Sequence, residues 1–224
     1  MNKFLLTDKI EKFAPLETQD GWDCSGWSVC TKNNEISKVM LALTVTDDVV
    51  KQAKSKQCDM IISHHPLFYV PLTYSDIDIY CAHTNMDKAN GGTTDTLIKN
   101  LGFKPDYIID EFVRIVNFDA PISVNCLEKK LRDISPNLRY VNNNKIEKVS
   151  KIAFCAGSGS EFIDSVDVDA FVTGDLKFHT ALDSNCVVFD IGHFESEIGI
   201  LEVFKNILGI DNIVFAEETT PFIY

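Results

Sequence analysis

The chain has 224 residues, of which 45% are hydrophobic and 24% charged, a balance that is ordinary for a water-soluble globular protein. The formal net charge of −12 argues against a general surface for nucleic acid or anionic membranes, because phosphate affinity depends on dense Lys and Arg. The seven cysteines are scattered singly without a C-x-x-C pair, which favours buried free thiols in a reducing compartment. No apolar run has signal-peptide or membrane-spanning length, so we expect a cytoplasmic protein.

The pattern of apolar residues predicts alternating strands and helices from the start of the chain. An amphipathic helix is predicted at residues 3–13, and a turn-rich loop at 21–26. The further elements predicted up to residue 144 are strand 39–45, a helix from 46 to 53, strand 58–62, strand 77–82, helix 93–101, strand 112–118, helix 122–134 and a polar turn at 142–144.

A second series of the same kind begins at Lys151. Its predicted elements are strand 152–156, a Gly-Ser turn at 157–160, a helix through 163, strand 170–173, a helix through 181, strand 187–191, helix 198–208 and strand 212–215. The alternation predicts an α/β fold in which a single unit contains two similar, interleaved halves, approximately 1–120 and 150–224 with a connecting segment 121–149. The sheets are expected to be largely parallel and flanked by helices, with a site between the halves, because sites in such folds lie beyond the carboxyl ends of strands.

Four of the five histidines directly follow predicted strands: His64 and His65 together, then His83, and later His193. Neutral imidazoles near carboxylates are the ligands that borderline divalent metals prefer. The leading hypothesis is therefore a metal centre assembled from distant parts of the chain. The alternative for the His64-His65 pair is a loop whose imidazoles make only backbone hydrogen bonds.

Carboxylates stand four residues after two of these histidines. Glu197 follows His193 at the entrance to a helix, so the two side chains can share a face and bind one ion or bridge two. Alternatively, Glu197 or Glu195 is an ordinary carboxylate at a helix N-terminus. Asp87 precedes a Gly-rich turn and is either a ligand or a residue that caps that turn.

Asp175 and His179 are also four residues apart. They form either a general acid/base pair or groups that orient metal ligands, or else an ordinary helix N-terminal Asp beside a half-buried His. No general base can be assigned. For contacts with phosphate, Lys177 and Arg114 are isolated candidates, since the chain has no P-loop.

Four segments together resemble a known family. They are Ser-His-His-Pro-Leu at 63–67, Ala-His-Thr-Asn-Met-Asp at 82–87, Thr-Gly-Asp-Leu-Lys-Phe-His at 173–179 and Asp-Ile-Gly-His-Phe-Glu-Ser-Glu at 190–197. In this order, over essentially the whole chain and with the Gly-Ser-Gly turn at 157–159, the sequence resembles the dinuclear metal-centre family of GTP cyclohydrolase 1 type 2 homologues. The resemblance implies two divalent metal ions, and the implied ligands are His64, His65, Asp87, His193 and Glu197. It implies supporting roles for His83 and His179.

The early loop departs from the family pattern, because Cys24 and Cys30 stand where Asn and Gly are usual. Substrate contacts of that loop are therefore not carried over. The chain lacks room for the extra domain of longer members and resembles the short form. That form implies a ring-shaped homohexamer with its metal sites facing inward.

Two divalent ions about 3.5 to 4 Å apart can share a bridging hydroxide, so the expected function is a metal-dependent hydrolase. By resemblance, its substrate is a guanine nucleotide or a related small molecule. The alternative is a non-catalytic metal-binding protein, such as a metallochaperone or an assembly scaffold, in which protein atoms saturate the metal. A nucleic-acid-binding ring is disfavoured by the charge. Mixed nitrogen and oxygen ligands suit Zn, Fe, Mn or Co.

Overall fold

The structure is a computed structural model that describes residues 1–223. The helices are α1 (Lys3–Phe13), α2 (Asp47–Ser55), α3 (Thr84–Lys88), α4 (Thr93–Asn100), α5 (Val124–Arg132), α6 (Phe178–Asp183), α7 (His193–Glu197) and α8 (Ile200–Leu208). The strands are β1 (Gly26–Val29), β2 (Val39–Ala42), β3 (Met60–Ser63), β4 (Asp78–Cys81), β5 (Tyr107–Ile109), β6 (Val113–Ser123), β7 (Arg139–Val141), β8 (Lys148–Ser158), β9 (Ala170–Gly174), β10 (Val187–Asp190) and β11 (Ile213–Phe215). Short 3-10 turns lie at Leu16–Thr18, Leu72–Tyr74 and Ser160–Ser165.

The chain is divided into two compact units. The first contains Met1–Gly92 and Ile200–Thr219, and the second contains Thr93–Gly199 with the described residues from Thr220 onward. Helix α8 and strand β11 belong to the first unit although they lie near the C-terminal end of the chain.

The first unit is built on a sheet with the strand order β1-β4-β3-β2-β11. β4, β3, β2 and β11 are parallel, whereas β1 pairs with β4 in the antiparallel direction. Every residue of β2, β3 and β4 is buried, which accounts for their nearly unbroken apolar sequences. The charged exception is Asp78, which is buried in an ion pair with Lys3 (Oδ1–Nζ 2.8 Å).

Helix α2 links β2 to β3. Its N-cap is Thr46, whose side chain accepts a hydrogen bond from the amide of Val49 at 3.2 Å. Asp47 and Asp48 in the first turn favour the positive end of the helix dipole. The helix buries Val49 and other apolar residues of one face in the core of this unit, so the carboxyl ends of β2 and β3 lie side by side.

The second unit is built on a sheet with the strand order β5-β6-β8-β9-β10-β7. β8, β9 and β10 are parallel, but the pairs β5-β6, β6-β8 and β10-β7 are antiparallel. This sheet is therefore mixed rather than largely parallel. A tight hairpin causes part of the difference, since Asp110 and Glu111, between β5 and β6, both have a positive φ (49° and 63°).

Both faces of the second sheet bury apolar side chains. Along β8, Ile152 and Phe154 belong to one buried cluster, whereas Ala153 and Cys155 belong to another. This alternation is what a two-residue side-chain period produces when helices or loops cover both faces. The predicted fold class, an α/β fold with sheets flanked by helices, is confirmed.

The thiols expected to be buried are buried at Cys58, Cys81, Cys155 and Cys186, but the other three cysteines are exposed. Over residues 1–223, none of the helices has both the length and the apolar character that crossing a membrane requires.

Candidate metal centre

In the first unit, three adjacent parallel strands end beside one another and lead to polar residues. Thr44 follows β2, His64 and His65 follow β3, and His83 follows β4. The amide of His64 still donates to the carbonyl of Ala42 at 3.2 Å, so the pairing with β2 continues past the end of the strand. The histidines predicted at strand ends are therefore at the edge of the sheet where ligands of α/β folds bind.

The three imidazoles of this edge form a cluster. Their ring centroids are 5.1 Å apart for His64 and His65, 5.2 Å for His64 and His83, and 5.7 Å for His65 and His83. One nitrogen of each lies within 4.8 Å of the others. Imidazoles held this close form a group that could bind a metal ion.

The hydrogen bonds of His64 and His65 orient their rings. His64 Nδ1 lies 2.9 Å from the carbonyl oxygen of Ala82, and because a carbonyl only accepts, Nδ1 carries the hydrogen in the neutral ring. Its Nε2 faces Asp87 Oδ1 at 3.4 Å. His65 Nδ1 is 2.7 Å from the hydroxyl of Thr44. Such partners at Nδ1 are typical of histidines that bind a metal through Nε2.

His83 is oriented by Asp23, a residue that the sequence analysis did not select. His83 Nδ1 is 3.0 Å from Asp23 Oδ1, and the Asp23 side chain is fully buried. Asp23 Oδ2 also accepts hydrogen bonds from the Thr84 hydroxyl at 2.6 Å and the Ser25 hydroxyl at 3.0 Å. Burial alone would raise the pKa of Asp23, but the hydrogen bonds from Thr84 and His83 outweigh it and lower this pKa to about 2. The carboxylate therefore stays ionised, and His83, expected in a supporting role, is also placed as a candidate ligand.

The second unit repeats this arrangement with different residues. Gly157 lies in β8, Asp175 directly follows β9, and His193 begins α7 as the third residue after β10. His193 Nδ1 is 2.6 Å from Asp175 Oδ2, and its Nε2 is 3.0 Å from Glu197 Oε2. The predicted pair of His193 and Glu197 is thus brought together on one helical face.

Gly157 provides the space that Glu197 occupies. A Cβ added to Gly157 would lie 2.2 Å from Glu197 Oε1, which is far inside van der Waals contact. The φ of Gly157 is +67°, which also favours glycine. Residue 157 is therefore a glycine because the nearly buried Glu197 carboxylate needs that volume.

The two carboxylates around His193 concentrate negative charge. Burial lowers the pKa of His193, but the hydrogen bonds and charges of Asp175 and Glu197 outweigh burial and raise the pKa to about 10. The hydrogen bond from His193 in turn lowers the pKa of Asp175. A site of this kind favours a cation, whether a proton or a metal ion.

Asp175 and His179, which stand four residues apart in the sequence, have different neighbours in the structure. Asp175 bonds to His193, whereas His179 is exposed and its ring contacts Phe178 edge-on, with centroids 5.4 Å apart. The left-handed φ of Asp175, +52°, begins the turn that separates it from the helix of His179. His179 is therefore not placed as an orienting group for the second-unit carboxylates.

Of the two cations suggested for phosphate contacts, Arg114 is excluded. It is fully buried and bonds to Asp95 (Nε–Oδ1 3.2 Å), whereas Lys177 is exposed. A third cation, Arg139, lines a cavity of about 160 Å³ beside Asp175 and has a side chain that is 75% exposed. Its position could not be anticipated because β7 is only three residues long.

The predicted ligands thus fall into two groups with suitable chemistry. The first unit brings together His64, His65 and Asp87, and the second brings together His193 and Glu197. Imidazole nitrogens and carboxylate oxygens suit borderline divalent metals. The oriented rings and the glycine that accommodates Glu197 also fit such an ion.

Comparison with known proteins agrees with the fold and with the motifs. The chain is 32% identical to a GTP cyclohydrolase 1 type 2 homolog of Clostridium perfringens over 95% of each chain. It is 28% identical to NIF3-like protein 1 of Drosophila melanogaster, over 89% of this chain and 79% of that protein. The solved structure of reduced HcgD from Methanocaldococcus jannaschii superimposes with a TM-score of 0.85 at 25% identity, covering 97% of this chain and 98% of that one.

The family model Duf34/NIF3 (NGG1p interacting factor 3) matches residues 1–221, almost the whole sequence. The match includes every motif on which the resemblance was based. The chain therefore belongs to the Duf34/NIF3 family.

Proposed function

We propose that this protein is a metal-dependent hydrolase that binds two divalent ions through His64, His65, Asp87, His193 and Glu197. The observation that supports this best is the shared orientation of the imidazoles. His64, His65 and His193 each direct Nδ1 to an oxygen of the protein, at 2.9, 2.7 and 2.6 Å. Nε2 is then the nitrogen that each ring presents for a metal.

The charges of the ligand set favour ions of charge +2. Asp87 and Glu197 supply two carboxylates, and the three histidine ligands are neutral when a metal is bound. When bound, a pair of divalent ions lowers the pKa of water and polarises a substrate oxygen, which is the chemistry of hydrolysis. The five proposed ligands would hold the two ions in place, and the protein oxygens at Nδ1 fix the orientation of the three imidazole ligands.

His83 is the residue best suited to move a proton in this site. Its Nδ1 hydrogen is directed at the buried carboxylate of Asp23, 3.0 Å away, so the neutral ring has its lone pair at Nε2. Asp23 stabilises the ring once Nε2 has accepted a proton, because its own pKa is about 2. We assign proton transfer to His83 Nε2 and orientation of His83 to Asp23.

The name of a relative supports the choice of substrate class. The Clostridium perfringens protein is named a GTP cyclohydrolase 1 type 2 homolog. Hydrolytic opening of the imidazole ring of guanine forms a bond from water oxygen to the ring carbon, breaks the bond from that carbon to a ring nitrogen, and leaves a proton on the nitrogen. We therefore propose a guanine nucleotide or a related small molecule as the substrate.

The test is turnover by metal-reconstituted protein. Purified protein is stripped of metal, reloaded separately with Zn, Mn, Fe or Co, and assayed for release of product from guanine nucleotides and phosphoesters. We expect about two ions per chain and metal-dependent turnover. His64→Ala and Glu197→Ala should each lose metal, and full metal content in both variants would refute the ligand assignment.

A second candidate function is metal binding without turnover. The family description, NGG1p interacting factor 3, refers to a protein interaction and not to a reaction. Such a protein uses the same ligands but saturates its metal with protein atoms. Full metal loading without turnover of any substrate tested would favour it. Assembly as a homohexamer stays a prediction, which light scattering can test.

A further inference from the structure

Two large aromatic side chains are exposed in the first unit, next to the histidine cluster. Trp22 is 61% exposed and Phe68 is 68% exposed. Their rings are stacked, with centroids 6.5 Å apart and an interplanar angle of 29°. We call Trp22 and Phe68 the aromatic platform. Exposed aromatic pairs of this kind leave apolar surface in water and are typical of binding sites.

The platform is held in place by its neighbours in the chain. Trp22 precedes Asp23, whose carboxylate is fixed by several hydrogen bonds. Phe68 follows Leu67, whose carbonyl accepts a hydrogen bond from the Cys24 thiol at 3.8 Å. A hydrogen bond therefore connects the loop that contains Trp22 to the loop that contains Phe68. The exposed rings belong to loops that are held in place by hydrogen bonds.

The platform is continuous with the histidine cluster. The Trp22 ring meets the His83 ring edge-on, with centroids 5.8 Å apart and an angle of 78°. The ring centroid of His83 in turn lies 5.2 Å from that of His64. A flat molecule stacked on Trp22 would thus reach the residue to which we assign proton transfer.

We propose that the aromatic platform binds the planar nitrogen heterocycle of the substrate and places it beside His83. Stacking requires a flat π-system, which a sugar or an aliphatic chain lacks, and stacking on Trp and Phe tolerates any heterocyclic base. The position beside His83 rests on the proposed function. Binding of the ring itself is measured separately from metal and from turnover.

The test compares two probes that differ only in the ring. Guanosine 5′-monophosphate contains the heterocycle, and ribose 5-phosphate has the same sugar phosphate without it. Binding of both is measured by calorimetry to the full-length zinc-loaded protein and to its Trp22→Leu, Trp22→Phe and Phe68→Leu variants. Phe178→Leu is the matched control, because Phe178 is 75% exposed but lies in the second unit. Circular dichroism and zinc content verify that each variant is folded and loaded.

We expect guanosine 5′-monophosphate to bind more tightly than ribose 5-phosphate. Trp22→Leu and Phe68→Leu should weaken its binding about tenfold or more, Trp22→Phe should weaken it less, and Phe178→Leu should leave it unchanged. Equal binding of the two probes, no binding of either, or full affinity in both platform variants would overturn the proposal. If the protein takes up no zinc but still binds guanosine 5′-monophosphate in a way that depends on Trp22, the proposed metal-dependent function is wrong and the proposed role of the aromatic platform is retained.

Discussion

Gly157 has two roles: it leaves space for the Glu197 carboxylate, and it adopts a left-handed backbone conformation. Replacing it by alanine, together with a control glycine, tests the two roles separately. The added methyl group would lie 2.2 Å from Glu197 Oε1, so the carboxylate has to move by about 1 Å to restore normal contact. The best control is Gly102→Ala, because Gly102 has a similar φ of +73° but its added Cβ would meet nothing nearer than Lys130 Nζ at 3.8 Å.

Both variants should lose conformational stability, but only one should also lose metal affinity. A left-handed alanine costs about 1–2 kcal/mol in either place, and in a chain of this length each kcal/mol lowers the Tm by about 2–4 °C. Only Gly157→Ala also displaces a proposed ligand. By analogy with the loss of groups that orient metal ligands, its metal affinity should fall about 10- to 100-fold.

The assay combines thermal unfolding of the metal-free proteins with calorimetric titration of zinc. We expect both variants to unfold at lower temperature than the wild type, and only Gly157→Ala to bind zinc more weakly. Wild-type zinc affinity in Gly157→Ala would show that Gly157 does not position Glu197 for metal binding, as would an equal loss of affinity in Gly102→Ala.

Three further predictions concern one histidine and two residues that orient histidines. Thr44→Val removes the hydroxyl at His65 Nδ1 and should lower zinc affinity about tenfold with little change in Tm, and calorimetry showing wild-type affinity would contradict it. The pKa of Asp23 lies at about 2 in the folded protein, below its ordinary value of 3.8, so its contribution to stability is present above pH 4 and is lost as the pH falls towards 2. Urea unfolding of Asp23→Asn should therefore depend less on pH between 4 and 2 than that of the wild type, and an equal dependence would exclude this role. His83→Gln should retain both metal ions and lower kcat by about 10²- to 10⁴-fold, whereas loss of an ion in elemental analysis would make His83 a ligand.

The parts of the fold that the sequence predicts are those with long, continuous patterns. β2, β3 and β4 are buried over their whole length and are recognisable as apolar runs, and α1 extends over the residues 3–13 that were predicted. β5 and β7 were not predicted, because three residues at a sheet edge are too few to show a period.

The candidate site divides in the same way. Its histidines were predicted because each follows a buried strand, and the family motifs supplied the carboxylates. Asp23 and Thr44, which orient two of these histidines, were not predicted. Each contacts a histidine that is distant in the sequence, 60 positions away for Asp23 and 21 for Thr44. Local sequence contains no information about such distant contacts unless a motif identifies them.

Anomalous X-ray diffraction from crystals of the zinc-loaded protein tests the proposed two-metal site most directly. We expect two zinc peaks about 3.5–4 Å apart. Each peak should lie about 2.0–2.2 Å from nitrogen or oxygen atoms of His64, His65, Asp87, His193 and Glu197. A single peak, or two peaks bound by other residues, would contradict the proposed site.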